Sequence, residues 1–238
     1  IHVASVAGAG LRVLEEVLPS PVSFVRPVFY RWRPNAVSGC GTCFVPGERP
    51  IIQLSGSESD PDEWDDAVIL HELCHYILAR FSQDDSPGQR HDGSPIEPAI
   101  AWSEGFATFC ASLLSDTPIQ LDYRVTGVRQ INLETIADDL SLGTENGEED
   151  GDVSEYLVAA LLWDLHDNDT DDDEDVSLKL KALLSPIFGR LKTSTKGVGA
   201  DGPDLVDYLN ALICDGFGDE VRVLAEASQF PLSSLSCR

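Results

Sequence analysis

The period of the apolar positions changes along the chain. Val3, Val6, Leu11, Leu14, Val17 and Leu18 fall near helical spacing, and Pro19 and Pro21 end that run. Residues 22–32 are rich in β-branched and aromatic side chains with partial alternation and are expected to form strand, interrupted at Pro27. Ile51 to Ser55 is a second short strand pattern, after a glycine-bearing loop around Cys40. The period then turns helical. Asp60-Pro61-Asp62-Glu63 offers an N-cap, a proline in the first turn and an acidic residue three positions on, which predicts a helix from Pro61 to about Phe81. A polar loop over 82–97 leads to a second helix over about 98–114. Further helices are predicted near 129–140, 152–166, 176–192, 203–214 and 219–228, with Asp152 and Glu155 as a capping box. No internal repeat is present. The expected fold class is α+β: a small N-terminal mixed sheet with one or two helices, then a mainly helical C-terminal half. One domain is expected, its parts being 1–60, 61–115 and 116–238.

The chemistry lies in the helix predicted over 61–81. His71-Glu72-Leu73-Cys74-His75 is an HExxH motif flanked by Val68, Ile69, Leu70, Ile77 and Leu78. Four residues of helix advance about 6 Å and nearly complete a turn, so both imidazoles project from one face. Two neutral ring nitrogens placed in this way can each reach one zinc ion at about 2 Å. Glu72 points along the neighbouring edge of that face, where a carboxylate can take a proton from water and pass it to a leaving amine. A coincidental His and Glu among such apolar neighbours would be costly to bury without a partner.

Catalytic zinc takes three protein ligands and leaves a fourth position open. A metzincin extension would place glycine and a third histidine where Leu78 and Phe81 stand, and no GTxD segment of deuterolysin type follows. Instead, Ala101-Trp102-Ser103-Glu104-Gly105-Phe106-Ala107-Thr108-Phe109 resembles the (W)xEGxA signature of the glutamate-zincins. The resemblance spans about residues 50–115. It implies a zincin-like fold and a zinc metallopeptidase in which Glu104 completes the set His71, His75, Glu104 and Glu72 is the base. It also implies that Gly105 and Ala107 keep two helices close. Apart from the resemblance, Glu104 is a carboxylate in an apolar helix, poorly suited to burial unpaired. Two features depart from the family. The 28 residues between His75 and Glu104 exceed its usual spacing, so 82–97 is an insertion, and Cys74 stands where a small residue is usual.

Supporting residues are less marked. Zinc-bound imidazoles usually donate their second N–H to a carboxylate or carbonyl, for which Glu155, Asp164 and the second helix are candidates. The oxyanion needs a donor. Tyr156 is the first choice, because Tyr156 to Leu162 loosely resembles the tyrosine-bearing helix of aminopeptidase-like glutamate-zincins, without that pattern's Lys and Gly. His166 is the second. His91 suits either a lid over the cleft or an exposed loop. By resemblance, residues 51–55 are the edge strand that pairs with substrate, although a purely structural strand fits as well.

Composition narrows the function further. The chain has 238 residues, with 16 Lys and Arg against 41 Asp and Glu, a formal charge of −25. That surface repels phosphate backbones and anionic lipid, so no nucleic-acid partner is expected. No apolar run is long enough to span a membrane. The chain lacks methionine and begins at Ile1, so its start is expected to be a processed or artificial end with any signal upstream. Six cysteines suit an oxidising compartment, secreted or in the cell envelope. Cys40 and Cys43 suit a local disulfide better than a zinc ribbon or a redox motif, Cys214 and Cys237 could staple the C-terminus, and Cys74 and Cys110 suit either free thiols or a bridge. The run Asp167–Asp175 imitates the opening of a calcium loop but lacks its glycine and closing Glu, so a solvated acidic loop is preferred to bound Ca²⁺. The expected activity is zinc-dependent hydrolysis of a protein or peptide substrate, with endopeptidase action preferred. A catalytically silent zinc-stabilised binding module and a zinc hydrolase of a non-peptide amide are the alternatives.

Overall fold

The structure is a computed structural model, which describes residues 2–17, 27–89, 91–136, 142–167, 178–192, 202–233 and 235–238. Helix α1, His2–Val17, buries Ala7 and Leu14 against the next two helices, as its apolar spacing predicts. Three short strands follow: β1 Phe29–Arg31, β2 Cys43–Val45 and β3 Ile51–Gln53. Of the strand expected over 22–32, residues 22–26 lie outside the described residues, and pairing begins only after Pro27. The sheet order is β1-β3-β2, with β1 parallel and β2 antiparallel to β3. β3 is therefore central, hydrogen-bonded on both sides, with Ile52 fully buried. This overturns the expectation that residues 51–55 form an edge. The edge strand beside the long helices is β2.

Helix α2, Asp66–Phe81, begins later than its cap-like sequence predicts. Asp62–Trp64 forms a single 3₁₀ turn, and Asp65 in extended conformation precedes α2. The carboxylates that would have capped a helix at Pro61 are engaged elsewhere. Asp62 accepts the Thr42 hydroxyl, and Asp65 accepts the Tyr123 backbone N–H at 2.9 Å. Such side-chain bonds compete with helix formation. Helix α3, Pro98–Ser115, starts on its proline as expected.

A hairpin of β4 Ile119–Arg124 and β5 Gly127–Asn132 occupies part of the segment predicted as helix 129–140. Val128 and Ile131 suit strand, and the Val125 N–H bonds to the Ser59 carbonyl. Only α4, Leu133–Ile136, remains of that helix, and residues 137–141 lie outside the described residues. Helix α5, Glu155–Asp164, is capped by Ser154, whose oxygen accepts the Tyr156 N–H at 3.1 Å. The Asp152–Glu155 capping box does not form, because Glu155 turns to the 82–97 loop instead. Helices α6 Leu180–Phe188, α7 Leu205–Asp215 and α8 Gly218–Ala227 match the last three predictions, α6 with shorter bounds and the other two within two residues at each end. Disulfides join Cys40 to Cys43, Cys74 to Cys110 and Cys214 to Cys237.

The central packing is α2 on α3 and α3 on α5. Gly105 sits where α3 crosses α5. A Cβ there would lie 2.6 Å from Val158 Cβ and 2.7 Å from the Glu155 carbonyl oxygen. Neither neighbour can swing away, one being a β-branched stem and the other backbone. Gly105→Ala is expected to destabilise the fold by about 1–3 kcal/mol. Thermal unfolding checks this, and an unchanged midpoint would mean that α3 and α5 can separate at this crossing without cost.

Candidate metal centre

HExxH sits in the buried middle of α2, and α3 lies across it. His71 Nε2 and His75 Nε2 are 3.0 Å apart, and each approaches the same Glu104 oxygen, at 3.2 and 3.1 Å. Ligand atoms of the three residues all fall within 4.8 Å of one another. The far side of each ring is held by a hydroxyl from α3. His75 Nδ1 lies 3.3 Å from Ser103 Oγ, which donates to Asp84 Oδ2 at 3.3 Å, and His71 Nδ1 lies 3.2 Å from Thr108 Oγ1. Donation from each Nδ1–H to its hydroxyl leaves both Nε2 lone pairs facing the centre.

Lone pairs on three such atoms repel unless a proton or a metal ion lies between them. Burial works against a charged His75, but the Glu104 carboxylate outweighs it and raises the ring to about 9. Burial likewise pushes Glu104 up, and the two imidazoles overcome it, holding that carboxyl well below the usual range. Glu72 shows the opposite balance: burial dominates and raises it, against His75 and His71. One Glu72 oxygen has no hydrogen-bond partner among the described residues, while the Phe44 N–H of β2 donates to the carboxylate. Two imidazoles and a carboxylate, with an unsatisfied buried carboxylate beside them, make a donor set that fits Zn²⁺.

These residues line a cleft of about 1040 Å³, walled by β2, the 82–97 loop, the hairpin and the start of α5. Tyr156 lines it as expected, with its hydroxyl accepting from Arg129. Gly93, at φ +92°, passes so close to the Tyr156 ring that a Cβ would overlap it. His166 is not brought to the site. Its Nδ1 faces the Leu178 carbonyl at 3.3 Å and its ring stands edge-on to Trp163, away from the cleft lining. His91 takes its place, with Nδ1 2.9 Å from Glu155 Oε1 and Nε2 3.3 Å from Glu104 Oε2. The Glu155 hydrogen bond raises its pKa, against burial. Glu155 therefore serves His91 rather than a zinc ligand, and Asp164 lies outside the cleft lining. Ser103 and Thr108 carried a readable signal: Thr108 follows Glu104 by four residues and so shares its helix face. Arg129 carried none, because its strand was read as helix.

The profile of the Mycolysin C-terminal domain family matches residues 23–196. The chain belongs to that family. The Mycolysin C-terminal domain is associated with metalloproteases, which relates the chain to proteases. An uncharacterized protein of Archaeoglobus fulgidus is 28% identical over 152 residues, which cover 60% of this chain and 40% of that protein. The chain thus spans less than half the length of that relative. Three disulfides, together with family membership, fit an extracellular protein. No helix among the described residues is long and apolar enough to cross a membrane. Most of the Asp167–Asp175 run lies outside the described residues.

A second carboxylate group, Asp60, Asp62 and Asp122, converges at the far end of the cleft, where Arg124 pairs with Asp122 at 2.6 Å and Asp60 at 3.5 Å. Burial raises Asp62 to about 7 despite the Thr42 hydroxyl. A carboxyl whose folded pKa exceeds its ordinary value of 3.8 holds more proton folded than unfolded. Its favourable contribution is complete below about pH 4 and is lost as pH rises through 7. Asp62→Asn is therefore expected to unfold at a higher temperature than wild type at pH 8, by roughly 3–8 °C, with the gap narrowing toward pH 5. Calorimetry at both pH values checks this.

Proposed function

We propose that this chain is a zinc-dependent peptidase of the glutamate-zincin type with a zincin-like fold, secreted or held in the cell envelope. The observation that carries the reading is the convergence of His71, His75 and Glu104 on one point beside the unpartnered oxygen of Glu72, inside an open cleft. Bound there, Zn²⁺ supplies a Lewis acid that polarises a carbonyl and acidifies water. Thr108 and Ser103 orient the two rings, and Asp84 orients Ser103. Glu72, its carboxylate steered by the Phe44 N–H, takes a proton from the attacking water at its free oxygen and delivers it to the departing amine. His91, oriented through its Nδ1 by Glu155, and Tyr156 are the candidate donors to the oxyanion as it develops.

The free edge of β2 runs along the cleft and offers backbone groups to an extended peptide. Protein or peptide is the substrate on this reading, because an edge strand recognises a main chain rather than a small amide.

Zinc stoichiometry and cleavage of a peptide library, measured on the same samples, test the proposal. Wild type is expected to bind one zinc per chain and to cleave. Glu72→Gln is expected to keep zinc and to lose about 10²–10⁴ in kcat. Thr108→Val should weaken zinc about 10–100-fold, and Glu104→Ala, which removes a ligand, should weaken it more. His91→Gln is expected to lower kcat about 10²–10³-fold, whereas His166→Gln leaves it unchanged. Zinc bound without cleavage would leave a silent zinc-stabilised module, turnover of non-peptide amides alone would point to the other hydrolase, and no zinc uptake would overturn the reading.

A further inference from the structure

The hairpin that walls the cleft carries two arginines, and their partners differ in kind. Arg124 is held by carboxylates, Asp122 at 2.6 Å and Asp60 at 3.5 Å. Arg129 stands directly across the strands from Asp122, where opposite charges usually pair. Asp122 is taken by Arg124, and Arg129 pairs with no carboxylate among the described residues. Its guanidinium donates instead to the Tyr156 hydroxyl, and its central carbon lies 5.7 Å from the centre of that ring. In a chain with 41 Asp and Glu against 16 Lys and Arg, a cation committed to a neutral phenol is unusual, and this one lies in the lining of the proposed catalytic cleft.

Other contacts fix the same ring. Tyr156 lies in the first turn of α5, its backbone N–H bonded to Ser154 Oγ at 3.1 Å. Gly93 packs against the ring so closely that a side chain there would overlap it. The Gly93 N–H is held in turn by Oε1 of the buried Glu155, at 3.1 Å. The ring is thus fixed by the loop and the helix, and its oxygen by Arg129. A guanidinium can only donate, so the Tyr156 oxygen is the acceptor of that bond and its own hydrogen is left to point elsewhere. Among the described residues no acceptor for that hydrogen is present. A charged donor on the phenol oxygen also strengthens the O–H as a donor, because it stabilises the electron density that builds there as the hydrogen is shared. What the pair lacks is an acceptor that gains negative charge, which is what an attacked peptide carbonyl becomes.

We infer that Arg129 is a positioning residue for stabilisation of the oxyanion, acting through Tyr156 by orienting its hydroxyl and strengthening its donation. The inference rests on the peptidase reading above and adds to it a residue outside both metal helices.

The experiment is a double-mutant cycle of Arg129→Gln and Tyr156→Phe on a peptide that the wild type cleaves, with kcat and KM measured separately and with zinc content and unfolding temperature checked for each protein. Tyr156→Phe is expected to lower kcat about 10²–10³-fold and Arg129→Gln about 10–100-fold, with KM within about threefold of wild type. Where Tyr156 is already Phe, Arg129→Gln should change kcat less than about twofold, because the hydroxyl through which it acts is gone. A second readout needs neither zinc nor substrate. In the ¹³C-tyrosine-labelled chain, the Cζ signal of Tyr156, assigned with Tyr156→Phe, is expected to move in Arg129→Gln while those of Tyr30, Tyr76 and Tyr208 stay in place. An unchanged kcat, an undiminished effect in the Tyr156→Phe background, an unmoved Tyr156 signal, or a loss that falls on KM, as direct binding of a substrate carboxylate would give, would each overturn the inference and leave the peptidase reading standing. A wild type that binds zinc and cleaves no peptide would overturn that reading and the inference with it.

Discussion

The structure depends on holding together atoms that repel. Two imidazole nitrogens and a carboxylate oxygen meet within 3.2 Å, and a second carboxylate is buried beside them. Such a centre survives only if the surrounding packing is worth more than the desolvation it imposes. The packing is the α2–α3 contact and, behind it, α3 on α5. The Cys74–Cys110 bridge ties α2 to α3, and Gly105 lets α3 and α5 approach until Cβ atoms would overlap. The residues that make the core tight are thus sequence neighbours of those that form the candidate centre: Cys74 precedes His75, and Gly105 follows Glu104.

A second layer turns this rigid centre into a directional one. α3 sends Ser103 and Thr108 to the outer nitrogens of the two histidines, and β2 sends the Phe44 N–H to Glu72. The loop over 82–97 contributes Asp84 and His91 to the cleft, and α5 answers with the buried Glu155 that fixes both His91 and the Gly93 N–H. The insertion between HExxH and Glu104 is therefore part of the site's wall. Its length is used to carry one carboxylate and one imidazole to a centre that two helices alone would leave open on that side.

What the sequence made legible follows from how local each signal is. HExxH was readable because four helical residues fix the relation between His71 and His75, and the motif that includes Glu104 is as compact. The helices α7 and α8 were readable from one-sided apolar spacing, and α3 from its proline start and a nearly continuous apolar run. The failures arose where partners distant in sequence decide. The start of α2 moved because Thr42 and Tyr123 claimed Asp62 and Asp65. The hairpin was missed because its strands are half exposed and gain their pairing only from each other. β3 was read as an edge because nothing in five residues says how many neighbours a strand has. His166 and His91 exchanged places for the same reason: a histidine at the end of a helix points wherever the helix has rotated, and a loop histidine goes where a buried carboxylate such as Glu155 draws it.

The charge at the centre argues for a divalent cation over a proton. With both imidazoles neutral, Glu72 and Glu104 would place two negative charges in a buried volume. A single proton on His75 offsets one of them, and the depressed Glu104 shows how strongly that proton is used. It leaves Glu72 strained upward by burial, with one oxygen still unbonded. His91 stands at the rim but makes its nearer hydrogen bond to Glu155. On the proposed reading, a doubly charged ion held by His71, His75 and Glu104 would balance both carboxylates at once and would favour the ionised form of Glu72. A general base must be ionised to act. On the proposed reading, then, the same ion that organises the ligands also sets the protonation state of the residue that uses it.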